Sequence, residues 1–166
     1  MDASREGAMG VAKAVNRPDS PPTAYGDDFY TWTQEQGARL RAGNLDGLDL
    51  ENLAEEIESL GKSQFASLVS ALRIVLLHML KFDHQPERRS RSWIVSIATH
   101  RDHAAEELEE SPGLKNRLNE AIGKAYRRAR LEAYGETGLP LDAFPEVCPY
   151  SLHEIMNRPF ATDPDV

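Results

Sequence analysis

Apolar residues recur along most of this chain every three or four positions, and nowhere do they alternate with polar ones over more than a few residues. That spacing turns one face of a helix inward, whereas a strand needs a period of two, so the pattern predicts an all-α fold. Phe29, Trp32, Gln36 and Leu40 share the first stripe, with Gly26 and Asp27 as its cap, Asp28 in its first turn and Gly43-Asn44 as its stop. Asp49 caps a second helix expected to bury Leu50, Leu53, Ala54, Ile57 and Leu60, while Glu51, Glu55 and Glu58 form a separate acidic stripe. Gly61 either ends this helix or weakens it, since glycine costs about 1 kcal/mol in a helix interior. From Ser63 to Phe82 the chain is apolar round most of the helical circumference, which marks a central helix with Leu72, Leu76 and Met79 in the core. Pro86 stops it. Ser90 is the expected cap of a fourth helix burying Trp93, Ile97, Ala104 and Leu108, and Ser111-Pro112 restarts the chain as a fifth. The fifth places Leu114, Leu118, Ala121, Ile122, Ala125 and Ala129 on one arc, opposite most of its bases, and ends at Gly135 and Thr137-Gly138-Leu139-Pro140. Two short helical turns follow, at Leu141 to Phe144 and Ser151 to Asn157. The expected architecture is an irregular bundle of about five main helices with short C-terminal turns, a single domain over residues 25–160. Residues 1–24, with Pro18, Pro21 and Pro22 and no periodic apolar face, read as a disordered arm, and residues 161–166 as a tail.

Composition narrows the class without naming an activity. The 166 residues, 40% hydrophobic and 28% charged, suit one soluble globular domain. No uninterrupted apolar run approaches the roughly 20 residues that cross a bilayer. The first ten residues lack a basic region followed by an apolar one, so no secretory signal is expected. A single cysteine, Cys148, forms no internal disulfide, which fits a reducing cytoplasm. A net charge of −8 repels nucleic acid on average, but the charge is zoned. Acids crowd Asp46 to Glu58 and Asp102 to Glu110, with no base in either stretch. Bases crowd Lys115 to Arg130, with Glu120 as the one acid.

Several residue groups are candidates for chemistry. His100, His103 and Glu107 share a helical face, but a metal needs three or four convergent ligands and no second such repeat supplies the rest, so neither a metal nor a cofactor is implied. His78, with Lys81 one turn on and Glu55 from the preceding helix, would make a polar pocket; a core-edge histidine bonded to a backbone carbonyl or to a carboxylate of the preceding helix is the plainer reading. Cys148 reads as a small buried hydrophobe. Arg88, Arg89, Ser90, Arg91 and Ser92 gather guanidinium groups and hydroxyls at a helix start, a combination that suits an anion. Alternatively, those arginines neutralise Glu51, Glu55 or Glu58. Lys124, Arg127, Arg128 and Arg130 form a basic face that could track phosphates or meet an acidic protein. No Gly-x-Ser-x-Gly, phosphate-binding loop or dinucleotide fingerprint occurs.

A set of word-like stretches carries a resemblance. Asp27-Asp28-Phe29-Tyr30-Thr31-Trp32, the run from Leu50 to Gly61, His78-Met79-Leu80-Lys81, the run from Gln85 to Trp93, Thr137-Gly138-Leu139-Pro140 and the run from Phe144 to Tyr150 occur in the order seen in one bacterial family. The chain resembles, over about residues 25–157, the family catalogued as domain of unknown function twenty-nine. The resemblance implies a helical domain and brings no activity, cofactor or catalytic residue. The leading expectation is a non-enzymatic helical module that binds another protein, or a second copy of itself, through its charge-zoned surface. A nucleic-acid-binding protein using the basic helix is the alternative, and a metal-binding or enzymatic site near His78 a further one.

Overall fold

The computed structural model describes residues 22–161; the expected arm, up to residue 21, and the tail from residue 162 lie outside the described residues. Five α-helices, α1 (Phe29–Arg41), α2 (Leu50–His84), α3 (Arg91–Glu110), α4 (Leu118–Thr137) and α5 (Leu152–Asn157), are joined by loops and three short 3-10 turns, and no strand occurs among the described residues. The all-α expectation holds, with one redistribution. The second helix and the central helix are a single helix, α2, of 35 residues, about 52 Å long, which runs through Gly61 without a break. No proline or turn-forming pair accompanies Gly61, so its small penalty is outweighed by a helix anchored at both ends. The fifth α-helix is the short turn expected at Ser151, and the restart at Ser111-Pro112 first makes a 3-10 turn (Pro112–Arg117) before α4 begins.

The chain divides into two compact units, one ending at Ala54 and the other beginning at Glu55, inside α2. In the first unit, Asp28 rather than Gly26 or Asp27 caps α1, its carboxylate accepting from Thr31 N at 3.0 Å and Thr31 Oγ1 at 2.6 Å. Trp32 and Gln36 are the buried residues of α1, and both reach Asp49 at the start of α2. The Trp32 indole donates to the Asp49 carboxylate at 3.2 Å, and Gln36 Oε1 accepts from Asp49 N at 2.9 Å. Asp49 also caps α2 through Asn52 N and Asn52 Nδ2, at 3.3 and 2.7 Å, and the Asn52 amide is the main cause of its lowered pKa. Asp49 thus ties the buried face of α1 to the first turn of α2. Thr23 is tied to Glu35 by two further hydrogen bonds, of 2.9 and 3.1 Å.

In the second unit, α2 from Phe65 to Phe82 is the core element, with Leu68, Leu72, Val75, Leu76, Met79 and Leu80 fully enclosed. Ser67 beside His103, and Gln64 beside Ser111, show α3 returning antiparallel to α2. Helix α4 then runs parallel to α2, since Arg117 stacks on Phe65, Arg73 pairs with Glu132, and Lys81 with Glu136. Ala121, Ala125, Ala129 and Ala133 form a buried ridge of small residues at spacing four, so α4 contributes to the core with little side-chain bulk. By length and composition α2 has an 18-residue window, of mean hydropathy 1.7, that could cross a membrane, but 61% of that window is buried within the protein, as in a core helix.

The C-terminal segment returns to this core by polar clamps. Tyr126 OH donates to Pro145 O at 2.6 Å, and Arg130 to Phe144 O and Leu141 O at 3.0 Å each. Arg101 donates to the carbonyls of Ile155 and Arg158 at the end of α5, and to that of Glu154, which also accepts from Arg158 N. Arg158 grips Asp83 bidentately at 2.9 and 2.6 Å, and Tyr150 OH donates to the same carboxylate at 2.8 Å.

Candidate interaction surface

His78 sits on α2 with its Nδ1 enclosed and without a hydrogen-bond partner, its ring 6.3 Å from that of Trp93. Lys81, one turn on, donates to Glu136 at 2.5 Å and stands 4.7 Å over the Trp93 ring. Burial, and after it the charge of Lys81, lower the His78 pKa to about 4, so the imidazole is neutral at pH 7. Glu55 does not join this cluster: it lies 23 positions earlier on one continuous helix, about 35 Å away. The carboxylate here is Glu136, from α4.

The arginine-serine loop is also arranged differently from expectation. Arg89 is exposed; its Nε donates to Phe82 O at 3.0 Å and its guanidinium lies 4.6 Å from the Phe82 ring centre. Ser90 precedes α3 in extended backbone, but its hydroxyl pairs with that of Ser92 at 2.8 Å and not with a helix N–H. Arg88 and Arg91 are exposed. Among the described residues no ion pair joins these arginines to Glu51, Glu55 or Glu58, and the unbroken α2 carries Glu55 and Glu58 about 36 Å or more from Phe82.

Of the basic face, Lys124 pairs with Glu120 at 2.8 Å and lies 5.0 Å over Phe65, while Arg130 is committed to two carbonyls. Arg127 and Arg128 are exposed, with no salt bridge among the described residues. His100 Nδ1 is 2.9 Å from Ser96 O, and His103 Nε2 contacts Ser67 Oγ at 3.2 Å and Glu107 at 3.3 Å. No three His, Cys, Asp or Glu side chains among the described residues gather to hold a metal. Burial raises the Cys148 thiol pKa, which keeps it protonated and unreactive at neutral pH.

The largest departure from the sequence expectation lies in the first half of α2. Leu50, Ile57 and Leu60, expected to be buried, are 69%, 67% and 69% exposed, and Ala54 is exposed beside them. Among residues 55–64, all but Glu56 are exposed. The reason is length. Helices α3 and α4 have 20 residues each, so they can flank little more than half of the 35 residues of α2, and burial begins only at Phe65. The apolar spacing does define a helix face, but periodicity does not say what covers that face. A second apolar feature is an open groove of about 490 Å³ lined by Leu108, Leu118, Leu152 and Met156 together with Lys115 and His153.

The family described as Domain of unknown function DUF29 matches residues 24–161, most of the chain. The chain belongs to that family. No curated protein and no solved structure matches it. For this DUF29 domain the six word-like stretches fall at the cap and start of α1, the first third of α2, the His78–Lys81 turn, the Gln85–Trp93 junction and the clamped segment after α4. The residues that fasten the end of the domain, Arg101, Asp83 and Arg158, had no local sequence signal, since their partners lie 53 to 75 positions away. Tyr150 stands in one of the word-like stretches, but nothing there announced Asp83 as its acceptor.

Proposed function

We propose that this DUF29 domain is a cytoplasmic, non-enzymatic protein-interaction module, and that its docking surface is the exposed stripe of α2 around Ile57 and Leu60. One observation carries the reading: large aliphatic side chains about two-thirds exposed on an uncovered helix segment. Scattered single hydrophobics on a surface are ordinary, but a row of them along one helix marks a docking site. A second reading, nucleic-acid binding along α4, has the exposed Arg127 and Arg128 in its favour, but Lys124 and Arg130 are engaged within the protein.

A photo-crosslinking amino acid placed at Ile57, at Leu60 or at Arg128 in living cells tests both readings. Protein adducts of defined mass from positions 57 and 60, and none from 128, are the expected result. Nucleic-acid adducts from 128 with silence at 57 and 60 would replace the docking reading by the second one.

A further inference from the structure

We infer that the exposed stretch of α2 from Glu55 to Gln64 is a conformational joint: its helix opens locally around Gly61 while the chain on either side stays folded. The inference does not rest on the docking reading, although Ile57 and Leu60 lie on the same stretch. A helix in a protein draws most of its stability from the face it packs, and alone in water one of fewer than about 12–15 residues is marginal. This stretch has ten residues, between the first unit, which ends at Ala54, and Phe65, the first core residue of the second. All of them but Glu56 are exposed, and a side chain built on Gly61 would meet nothing within 4 Å. Little packing therefore opposes the opening of its hydrogen bonds, the condition under which local unfolding separates from global unfolding.

The local sequence acts in the same direction. Gly61 is the weakest helix former short of proline, and Ser59 and Ser63, two positions to either side, are mediocre ones. Glu55 and Glu58 stand three apart, a like-charge pair that weakens the helix. Against them stands the Glu58–Lys62 pair at 3.3 Å, its side chains 69% and 73% exposed and therefore well screened. The flanks, by contrast, are fastened. Asp49 caps the start of α2 and bonds to Trp32 and Gln36, and from Phe65 onward the helix enters the core. Opening in the middle leaves both anchors in place. It also interrupts the helix that carries Ile57 and Leu60, so the joint sets the share of molecules in which those side chains stand on one helical face.

Hydrogen–deuterium exchange of the full chain, read residue by residue by NMR, tests this. The amides of residues 59–65 bond back to the carbonyls of residues 55–61. Relative to their intrinsic rates they should exchange about a hundredfold or more faster than the amides of Leu72 to Leu80, and about tenfold or more faster than those of Gln36 to Leu40 in α1. Urea below the unfolding transition should hardly change their rates while it accelerates exchange in the core, because a local opening exposes little new surface. Gly61→Ala should slow the stretch about fivefold, and Ser59→Ala/Gly61→Ala/Ser63→Ala about tenfold or more. Every altered side chain is exposed, so both variants should fold.

A stretch as slow to exchange as Leu72 to Leu80 would show a rigid rod and overturn the joint. Amides of α1 as fast as the stretch, with the same urea dependence, would mean that the first unit unfolds as a whole, which overturns it equally. Rates in the stretch that neither alanine variant changes would show that the opening is not centred on Gly61, and the proposal fails there too.

Discussion

At His78 the chain keeps an imidazole on a helix that is otherwise apolar nearly all round, and encloses its Nδ1 with nothing to bond. Burial is the largest cause of its lowered pKa, Lys81 the next, with Glu136 opposing and His100 adding slightly. Between about 4 and the ordinary 6.5, the unfolded chain therefore binds a proton that the folded chain refuses. This contribution to stability is complete above pH 6.5 and is lost as pH falls towards 4. The loss should be of the order of 1–2 kcal/mol once partial exposure is discounted. Urea unfolding of wild type and His78→Leu at pH 7, 5.5 and 4.5 checks this. The variant should be close to wild type at pH 7, because it also removes an unpaired buried atom, and should gain on it as pH falls. A constant difference across the series would mean that His78 titrates normally. Arg89 gives a second test at this scale. Its guanidinium holds a carbonyl and covers Phe82 but strands no carboxylate, so Arg89→Ala should cost only about 1 kcal/mol in urea. Phosphate and chloride at matched ionic strength should shift the wild-type melting temperature equally; a phosphate-specific shift that Arg89→Ala removes would make this loop an anion site.

Helix α2 shows how two segments become one element. Gly61 lies in helical backbone with open space around its missing side chain, so Gly61→Ala should raise stability by about 0.5–1 kcal/mol, as glycine replacements at unstrained helical sites do. A loss in the same thermal or urea experiment would mean that another element approaches there. Leu76, wholly enclosed, is the opposite case, and Leu76→Ala should cost about 2–5 kcal/mol. The sequence announced most of this element: the apolar circumference from Phe65 to Phe82, the Asp49 cap and the stop at Pro86 all rest on local chemistry. It did not announce continuity at Gly61, because a 1 kcal/mol penalty is too small to break a helix packed along one half. Nor did it announce that Ile57 and Leu60 face outward, since their spacing is the same whether a neighbour covers them or not. The exposed stripe was therefore legible as a stripe and illegible as a surface. The polar cluster was legible at His78 and Lys81, which share one turn, but its carboxylate, Glu136, comes from 55 positions along the chain.

Across the whole molecule, the second unit is closed by contacts between its last residues and the end of its central helix. Asp83 accepts from both arms of the Arg158 fork and from Tyr150. Burial alone would raise its pKa, but these hydrogen bonds outweigh it and the carboxylate ends up more acidic than usual. Phe160 follows, its ring 4.9 Å from that of Phe82 and within 5.3 Å of the Arg101 and Arg158 guanidinium groups. Such long-range contacts make the segment after α4 part of the folding unit. Arg158→Ala removes the fork and leaves Asp83 with Tyr150 alone, and for a pair partly open to solvent the cost should be about 1–3 kcal/mol. Arg158→Lys keeps the charge but cannot bond both carboxylate oxygens in one plane, so it should recover only part of that. The sign of the pH dependence follows from the depressed Asp83 pKa: the clamp's contribution is complete above the ordinary carboxylate range and is lost as pH falls below it, through the lowered folded value. Urea midpoints for wild type and the two variants should therefore differ at pH 7, in the order wild type, Arg158→Lys, Arg158→Ala, and draw together as pH is lowered below the ordinary carboxylate range. Limited proteolysis at pH 7 should cut Arg158→Ala first between α4 and α5, where the released segment opens. Equal midpoints at pH 7 would show that the polar clamp is incidental and that Phe144 and Ile155, both buried, hold the segment by packing alone.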